Sequence, residues 1–314
     1  MMAYSFLIEA VQVLILLFAA PLFAGWVKTV KCRMQGRTYA GVFQPYRDIA
    51  RLFSKEVILA ENASWIFRIT PYIVFGVTVI IGGIIPLIST DLPFAATADV
   101  IALVMLFAII RFFTALAGMD IGTAFGGMGS SREMTIASLA EPAMLMAIFT
   151  VSLAGKSTSL THMVQVMAQG ELLLRPSLAF ALLAFIMVHL TETGRVPVDN
   201  PSTHLELTMI HEAMILEYSG RHLALMEWAS MMKLFIFSAL GIALFCPWGI
   251  APAGDFPGML VAIVLLAAKL AVLGVILVLI ETGLAKMRLF RLTEYLGSAF
   301  LLATLGMLSF FILE

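Results

Sequence analysis

Charge is what this sequence has least of. Only 12% of its 314 residues are Asp, Glu, Lys or Arg, 61% are apolar, and the mean hydropathy is +1.01. Soluble domains run at about 25% charged and about 45–50% apolar residues. A water-soluble globular fold is therefore excluded, and the chain reads as an all-α polytopic membrane protein. Cysteine is nearly missing: Cys32 and Cys246 stand far apart, with no CxxC. That excludes a disulfide framework, a zinc site built on paired cysteines, and iron–sulfur ligation by this chain alone, so redox chemistry has to come from a partner. With a net charge of −1 there is no basic stripe for nucleic acid. Gly118, Gly122, Gly126, Gly127 and Gly129 cluster without a Walker lysine or a GxGxxG after a strand, so phosphate binding is not supported. A tight re-entrant turn is expected there instead. His211-Glu212 opens an HExxH pattern that Ile215 fails to complete, which excludes a metalloprotease site. His204, Glu206 and His211 lack a further matched ligand, and no metal site is expected.

What the sequence has in quantity is long apolar runs. Crossing ~30 Å of hydrocarbon takes about 20 apolar residues in a helix. Eight runs qualify: Phe6–Val27, Ile69–Ile88, Val100–Met119, Met134–Ala154, Leu172–Thr191, Trp228–Trp248, Met259–Ile280 and Tyr295–Leu313. Arg175 and Pro176 interrupt the start of the fifth. The first run has no basic segment before it and carries Glu9, so it reads as a retained helix rather than a signal peptide. Of the 19 Lys and Arg residues, 14 fall in loops on one side, Lys156 and Arg175 on the other, and Arg111, Lys233 and Lys269 within runs. The positive-inside rule places both termini on the outer side of a cytoplasmic membrane. The chain is then one membrane domain over 1–314 with long inner loops. The loop at 28–68 contains Val42, Phe43, Tyr46, Ile49, Ala50 and Phe53 at helical spacing, with Arg47, Asp48 and Arg51 opposite. This predicts an amphipathic helix lying in the inner interface.

An ionisable residue inside a span costs roughly 2.5–3.5 kcal/mol on insertion scales, so each one needs a reason. Glu141 lies two turns beyond Glu133 in the fourth run, where a poorly solvated carboxyl can exchange protons near neutral pH. Arg111, Lys233 and Lys269 are its candidate partners. Asp120, Glu192, Glu227 and Glu281 fall at predicted inner boundaries, where headgroup water can solvate each one singly. Together with Glu141 they can form a string of carboxylates into the membrane. His189 reads as a satisfied helix-contact histidine, and Glu9 as solvated. The inner acidic loop at 194–227 continues from Glu192 through Asp199, Glu206 and Glu212 to Glu217, with Pro197 and Pro201. Its prolines argue for an ordered loop.

These segments resemble one family. Glu192-Thr193-x-Arg195-x-Pro197-x-Asp199, followed by Glu217-Tyr218-Ser219-Gly220, is similar to the signature of the complex I subunit 1 family. Within that family the formate hydrogenlyase subunit 4 branch, found in energy-converting group 4 hydrogenases, is nearest. Gln44-x-Tyr46-Arg47-Asp48-Ile49, Arg111-Phe112-Phe113, Ser131-Arg132-Glu133, Glu141-Pro142 and Glu281 support it. The chain departs from complex I members at Ser202 and His204, where acids are usual, and at Thr38-Tyr39-Ala40-Gly41, where an Arg-x-Gly-Pro turn is usual. Both departures lie near a quinone entry and favour the hydrogenase-like branch.

The resemblance implies a non-catalytic subunit that binds no cofactor itself. It would join antiporter-like membrane subunits to hydrophilic hydrogenase-like or dehydrogenase-like subunits on the inner face. Iron–sulfur clusters and [NiFe] or flavin centres would sit in those partners. The implied proton relay is Glu133, Glu141, Glu192, Asp199, Glu206, Glu217, Glu281 and Asp120. The implied docking and cavity residues are Arg37, Arg47, Asp48, Arg132, Arg195, Tyr218 and Arg221. A quinone-chamber subunit of a respiratory NADH dehydrogenase and a stand-alone secondary transporter are the alternatives. A transporter predicts inverted repeats, and no internal repeat is evident.

Overall fold

The computed structural model describes residues 2–38, 41–89, 99–168, 175–199, 209–250 and 256–313. The described residues form helices α1 (Met2–Met34), α2 (Gln44–Phe53), α3 (Trp65–Ile84), α4 (Val100–Asp120), α5 (Ala124–Gly155), α6 (Leu160–Ala168), α7 (Pro176–Glu192), α8 (His211–Ile215), α9 (Gly220–Phe245), α10 (Phe256–Gly283) and α11 (Leu289–Leu313). Among them, seven are long and apolar enough to cross a membrane, and α7 is a shorter apolar helix. The chain is an all-α membrane protein. α7 begins at Pro176, a residue suited to a first helical turn because its missing N–H is not needed there. Its 17 residues rise about 25 Å. The expected start at Leu172 lies outside the described residues.

Several helices outrun the apolar runs that mark them. α5 starts at Ala124, ten residues before the run at Met134, because Thr123 caps it by accepting from the Gly126 N–H at 3.3 Å. The glycine cluster is therefore not a re-entrant turn. Only Gly122, at φ +72°, sits in the link, while Gly126, Gly127 and Gly129 belong to α5. Gly126 and Gly129 serve close approach, whereas Gly127 faces open space. A Cβ on Gly129 would lie 3.0 Å from the Ala213 Cβ and the Ile210 carbonyl oxygen, and one on Gly118 would lie 3.2 Å from Met214. α8 thus sits in a cradle that α4 and α5 provide. α2 forms where the amphipathic pattern predicts it and lies across α1 and α9.

Two prolines inside spans set up the packing around the start of α9. A proline cannot donate to the carbonyl four residues back. Pro21 leaves the Leu17 carbonyl without its helical donor, and the indole Nε1 of Trp228 donates to it at 3.1 Å. Pro71 does the same to Phe67, whose carbonyl accepts from the Tyr218 hydroxyl at 3.0 Å. Tyr218 also stacks on the Phe67 ring, with centroids 3.9 Å apart. Ser219 donates its hydroxyl to the Ile58 carbonyl and accepts the Ile58 N–H, each at 2.8 Å. Gly220 at φ +53° passes so near the 55–56 backbone that a Cβ would lie 2.6 Å from the Glu56 oxygen. Tyr-Ser-Gly is thus a lock that fastens the α2–α3 link to the start of α9.

Candidate functional site: a buried charge cluster and two adjoining cavities

Four helices deliver five charges to one point inside the bundle. Arg111 of α4 is 4% exposed. Its guanidinium reaches Glu133 at 3.8 Å and Glu141 at 3.4 Å, both on α5, and pairs with Glu192 at the end of α7. Lys233 of α9 meets the second Glu192 oxygen at 3.0 Å. Arginine suits the centre because its fork presents five donors in one plane and can serve several carboxylates at once. Buried ions persist only when paired and hydrogen-bonded, and here three carboxylates face two cations. One formal negative charge remains when all are ionised, so the cluster can accept a proton and become neutral. Glu192 is fully enclosed, whereas the Glu141 side chain keeps 31% exposure. Glu141 is the most exposed of the five.

A second group lies at the C-terminal ends of α1, α7 and α10. Glu281 of α10 pairs with Lys31 of α1 at 2.8 Å and with Arg195. Asp199 accepts from Lys286 at 3.1 Å and from the Ile210 N–H at 3.2 Å, and the Met287 N–H donates to the Pro197 carbonyl at 2.9 Å. The Arg-x-Pro-x-Asp segment is therefore pinned to the end of α10, and Asp199 ties the two flanks of the 200–208 segment together. One cavity is lined by Arg111, Glu133, Glu192 and Lys233, and a neighbouring one by Lys31, Arg195, Glu227 and Glu281. Asp199 and His211 line both.

The structure thus brings together Glu133, Glu141 and Glu192, and next to them Asp199 and Glu281. It separates others. Asp120 accepts the Ser64 N–H at 2.9 Å and so fixes the start of α3 to the end of α4. Glu217 is exposed, and Glu206 lies outside the described residues, as do Ser202 and His204. Arg37, Arg47 and Arg221 are exposed, while Asp48 pairs with Arg51. Arg132 donates to the Met209 carbonyl at 3.1 Å, holding the stretch of chain that enters α8. Tyr218 is buried against Phe67 and lines neither cavity.

Three expectations need correction. Lys269 is no partner of Glu141: it caps the C-terminal end of α9 by donating to the Cys246 carbonyl at 2.7 Å and to that of Trp248. Glu9 is not solvated but 7% exposed, packed against the end of α3 near Gly83. Glu192 and Glu281 are enclosed ion-pair members rather than carboxylates in headgroup water. His189 meets its expectation, stacked on Phe237 and 3.5 Å from the Ser238 hydroxyl. Sequence reasoning placed Lys31 and Lys286 only as topological charges. Their sole signal was a basic residue at a helix end, which ordinary solvated lysines share.

Residues 8–312 match the family described as NADH dehydrogenase. The chain belongs to that family, in its subunit 1 group. Formate hydrogenlyase subunit 4 of Escherichia coli (strain K12) is 32% identical over 285 residues, covering 91% of this chain and 92% of that protein. Hydrogenase-4 component C of the same organism is 32% identical over 304 residues, covering 96% and 95%. NADH-quinone oxidoreductase subunit 8 of Rhodothermus marinus is 27% identical over 213 residues, covering 66% and 61%. In fold, the chain is similar to one in the structure of the membrane-bound sulfane sulfur reductase, an archaeal respiratory membrane complex. The TM-score is 0.81 at 18% identity, covering 97% of this chain and 98% of that one.

Proposed function

We propose that this chain is the membrane-anchoring and coupling subunit of a complex I-like assembly of the hydrogenase type. A hydrophilic redox arm docks on the inner face and carries the iron–sulfur clusters, with a [NiFe] or flavin centre. Electron transfer there changes the charge at the inner cavity. The change passes from Glu281 and Asp199 to Glu192 and Arg111, and leaves through Glu141 to antiporter-like neighbours that move protons or Na⁺. Both termini face the outer side.

The observation that carries this reading is the Arg111 cluster. It is a buried, uncompensated set of ionisable groups with one end at an inner cavity and the other at a partly exposed carboxylate. A group of this kind changes its proton affinity when a neighbouring charge changes. A transporter reading would use the same charges as a substrate site, but Arg111 and Lys233 already have carboxylate partners. Purification in mild detergent separates the two: a coupling subunit brings iron–sulfur proteins with it, and a transporter comes alone. The decisive substitution is Glu141→Gln, which keeps the shape and removes the charge. Assembly is expected to persist while ions moved per electron transferred fall at least about tenfold, a smaller loss than the about 10²–10⁴-fold in rate that an acid–base group contributes. Unchanged ion movement in sealed vesicles would remove Glu141 from the path.

A further inference from the structure

We propose that His211 is the proton-transfer residue that joins the inner cavity to the buried charge cluster. The inference rests on the coupling reading above and names the step that it leaves open. The two cavities share the lining residues Thr193, Gly194, Asp199, His211 and Ser230. Only two of these carry an acid or imidazole group, Asp199 and His211. Asp199 has both oxygens committed, one to Lys286 and one to the Ile210 N–H. The His211 ring makes no hydrogen bond among the described residues and stands between the two spaces.

Its surroundings fit a relay. The charged groups that act on it are Glu133 of α5, Glu227 and Lys233 of α9, and Asp199 of the preceding link. Burial holds the imidazole below its usual range, Lys233 adds to that, and the three carboxylates oppose it. Neutral imidazole offers one acceptor and one donor nitrogen. A proton arriving on the Glu227 side adds to the free ring nitrogen. The N–H on the other nitrogen then releases its proton toward the Glu133 and Glu192 side. One N–H bond forms and one breaks, the proton count is conserved, and a tautomer change resets the ring.

Local structure keeps this residue in place while leaving its ring uncommitted. α8 is seated in the Gly118 and Gly129 cradle, and Arg132 holds the Met209 carbonyl two residues before His211. The backbone is fixed on two sides, and the residue lines both cavities.

The test uses the whole complex in liposomes, with reduced methyl viologen as electron donor to its own redox arm and an acridine dye reporting proton movement. His211→Gln is expected to lower protons moved per viologen oxidised at least about tenfold. His211→Ala is expected to behave likewise and to regain coupling when imidazole is added, a recovery that a structural role would not give. Unchanged coupling in both variants, or loss without imidazole rescue, overturns the relay. Failure of both variants to assemble marks His211 as structural and also overturns it. If the wild-type complex pumps and Glu141→Gln does not, the coupling reading stands regardless of His211. If the wild type moves neither protons nor Na⁺, the coupling reading itself falls; if it moves Na⁺ alone, the proton relay through His211 is overturned.

Discussion

At the scale of single residues, the molecule repeats one device. A proline in a span releases a carbonyl, and an aromatic donor from α9 or its approach takes it. Burying that carbonyl unpaired would cost about 1–3 kcal/mol. Tyr218→Phe removes the donor to Phe67 while keeping the ring stacked, so detergent-solubilised protein should lose about that much stability. In a Pro71→Ala background the residue 71 N–H can serve the same carbonyl, and Tyr218→Phe should then cost markedly less. A thermal or denaturant double-mutant cycle measures the difference; equal losses in both backgrounds would separate Tyr218 from Pro71. The Glu-Tyr-Ser-Gly motif could be recognised in the sequence, but its job could not. Tyr218 and Phe67 are 151 positions apart, and nothing local to either residue signals the other. Arg111 was legible for the opposite reason. A charge in an apolar run is conspicuous wherever its partner lies.

At the scale of elements, apolar runs located the spans but not their ends. Hydropathy reports where lipid lies, whereas a helix ends where its backbone groups find caps. α5 runs past the membrane pattern because Thr123 caps it, and in its first turns Gly126 lets the α4 backbone at Gly118 approach while Gly129 makes room for α8. That use of glycine is a three-body contact that no spacing rule encodes. The same logic applies to the C-terminal end of α9. Its last carbonyls have no helical partner, and Lys269 reaches across from α10 to supply one, with its ammonium also 5.3 Å from the Trp248 ring. Lys269→Met should therefore act on stability, not coupling. It should lower stability by about 1–3 kcal/mol for the orphaned carbonyls, with ions moved per electron unchanged. A coupling defect at normal stability would return Lys269 to the conduction path. Gly129→Val should unseat α8, since its side chain would meet Ala213 and Ile210. The expected sign is faster proteolysis within 209–215.

At the scale of the whole molecule, asymmetry across the membrane is the property on which the functional reading depends. The ion pairs of Glu281 and Asp199, the cavity with Glu227 and the approach to α8 all gather around the helix ends that the basic loops mark. α1 makes the same point. Its 33 residues rise about 50 Å, well beyond the ~30 Å hydrocarbon core, so one end must stand clear of lipid. That end carries Lys28, Lys31 and Arg33. Lys31 reaches Glu281 there, so the basic residues that set topology also build the cavity wall. Orientation and mechanism are thus one claim, and labelling tests both. With Cys32 and Cys246 replaced by Ser, a cysteine at exposed Glu61 should react with an impermeant maleimide only in inside-out vesicles. One at exposed Thr158, in the α5–α6 link, should react only in right-side-out vesicles. The reverse pattern would put the cavity on the outer side, away from any redox arm in the cytoplasm. The Arg111 cluster would then have no electron-carrying neighbour to answer.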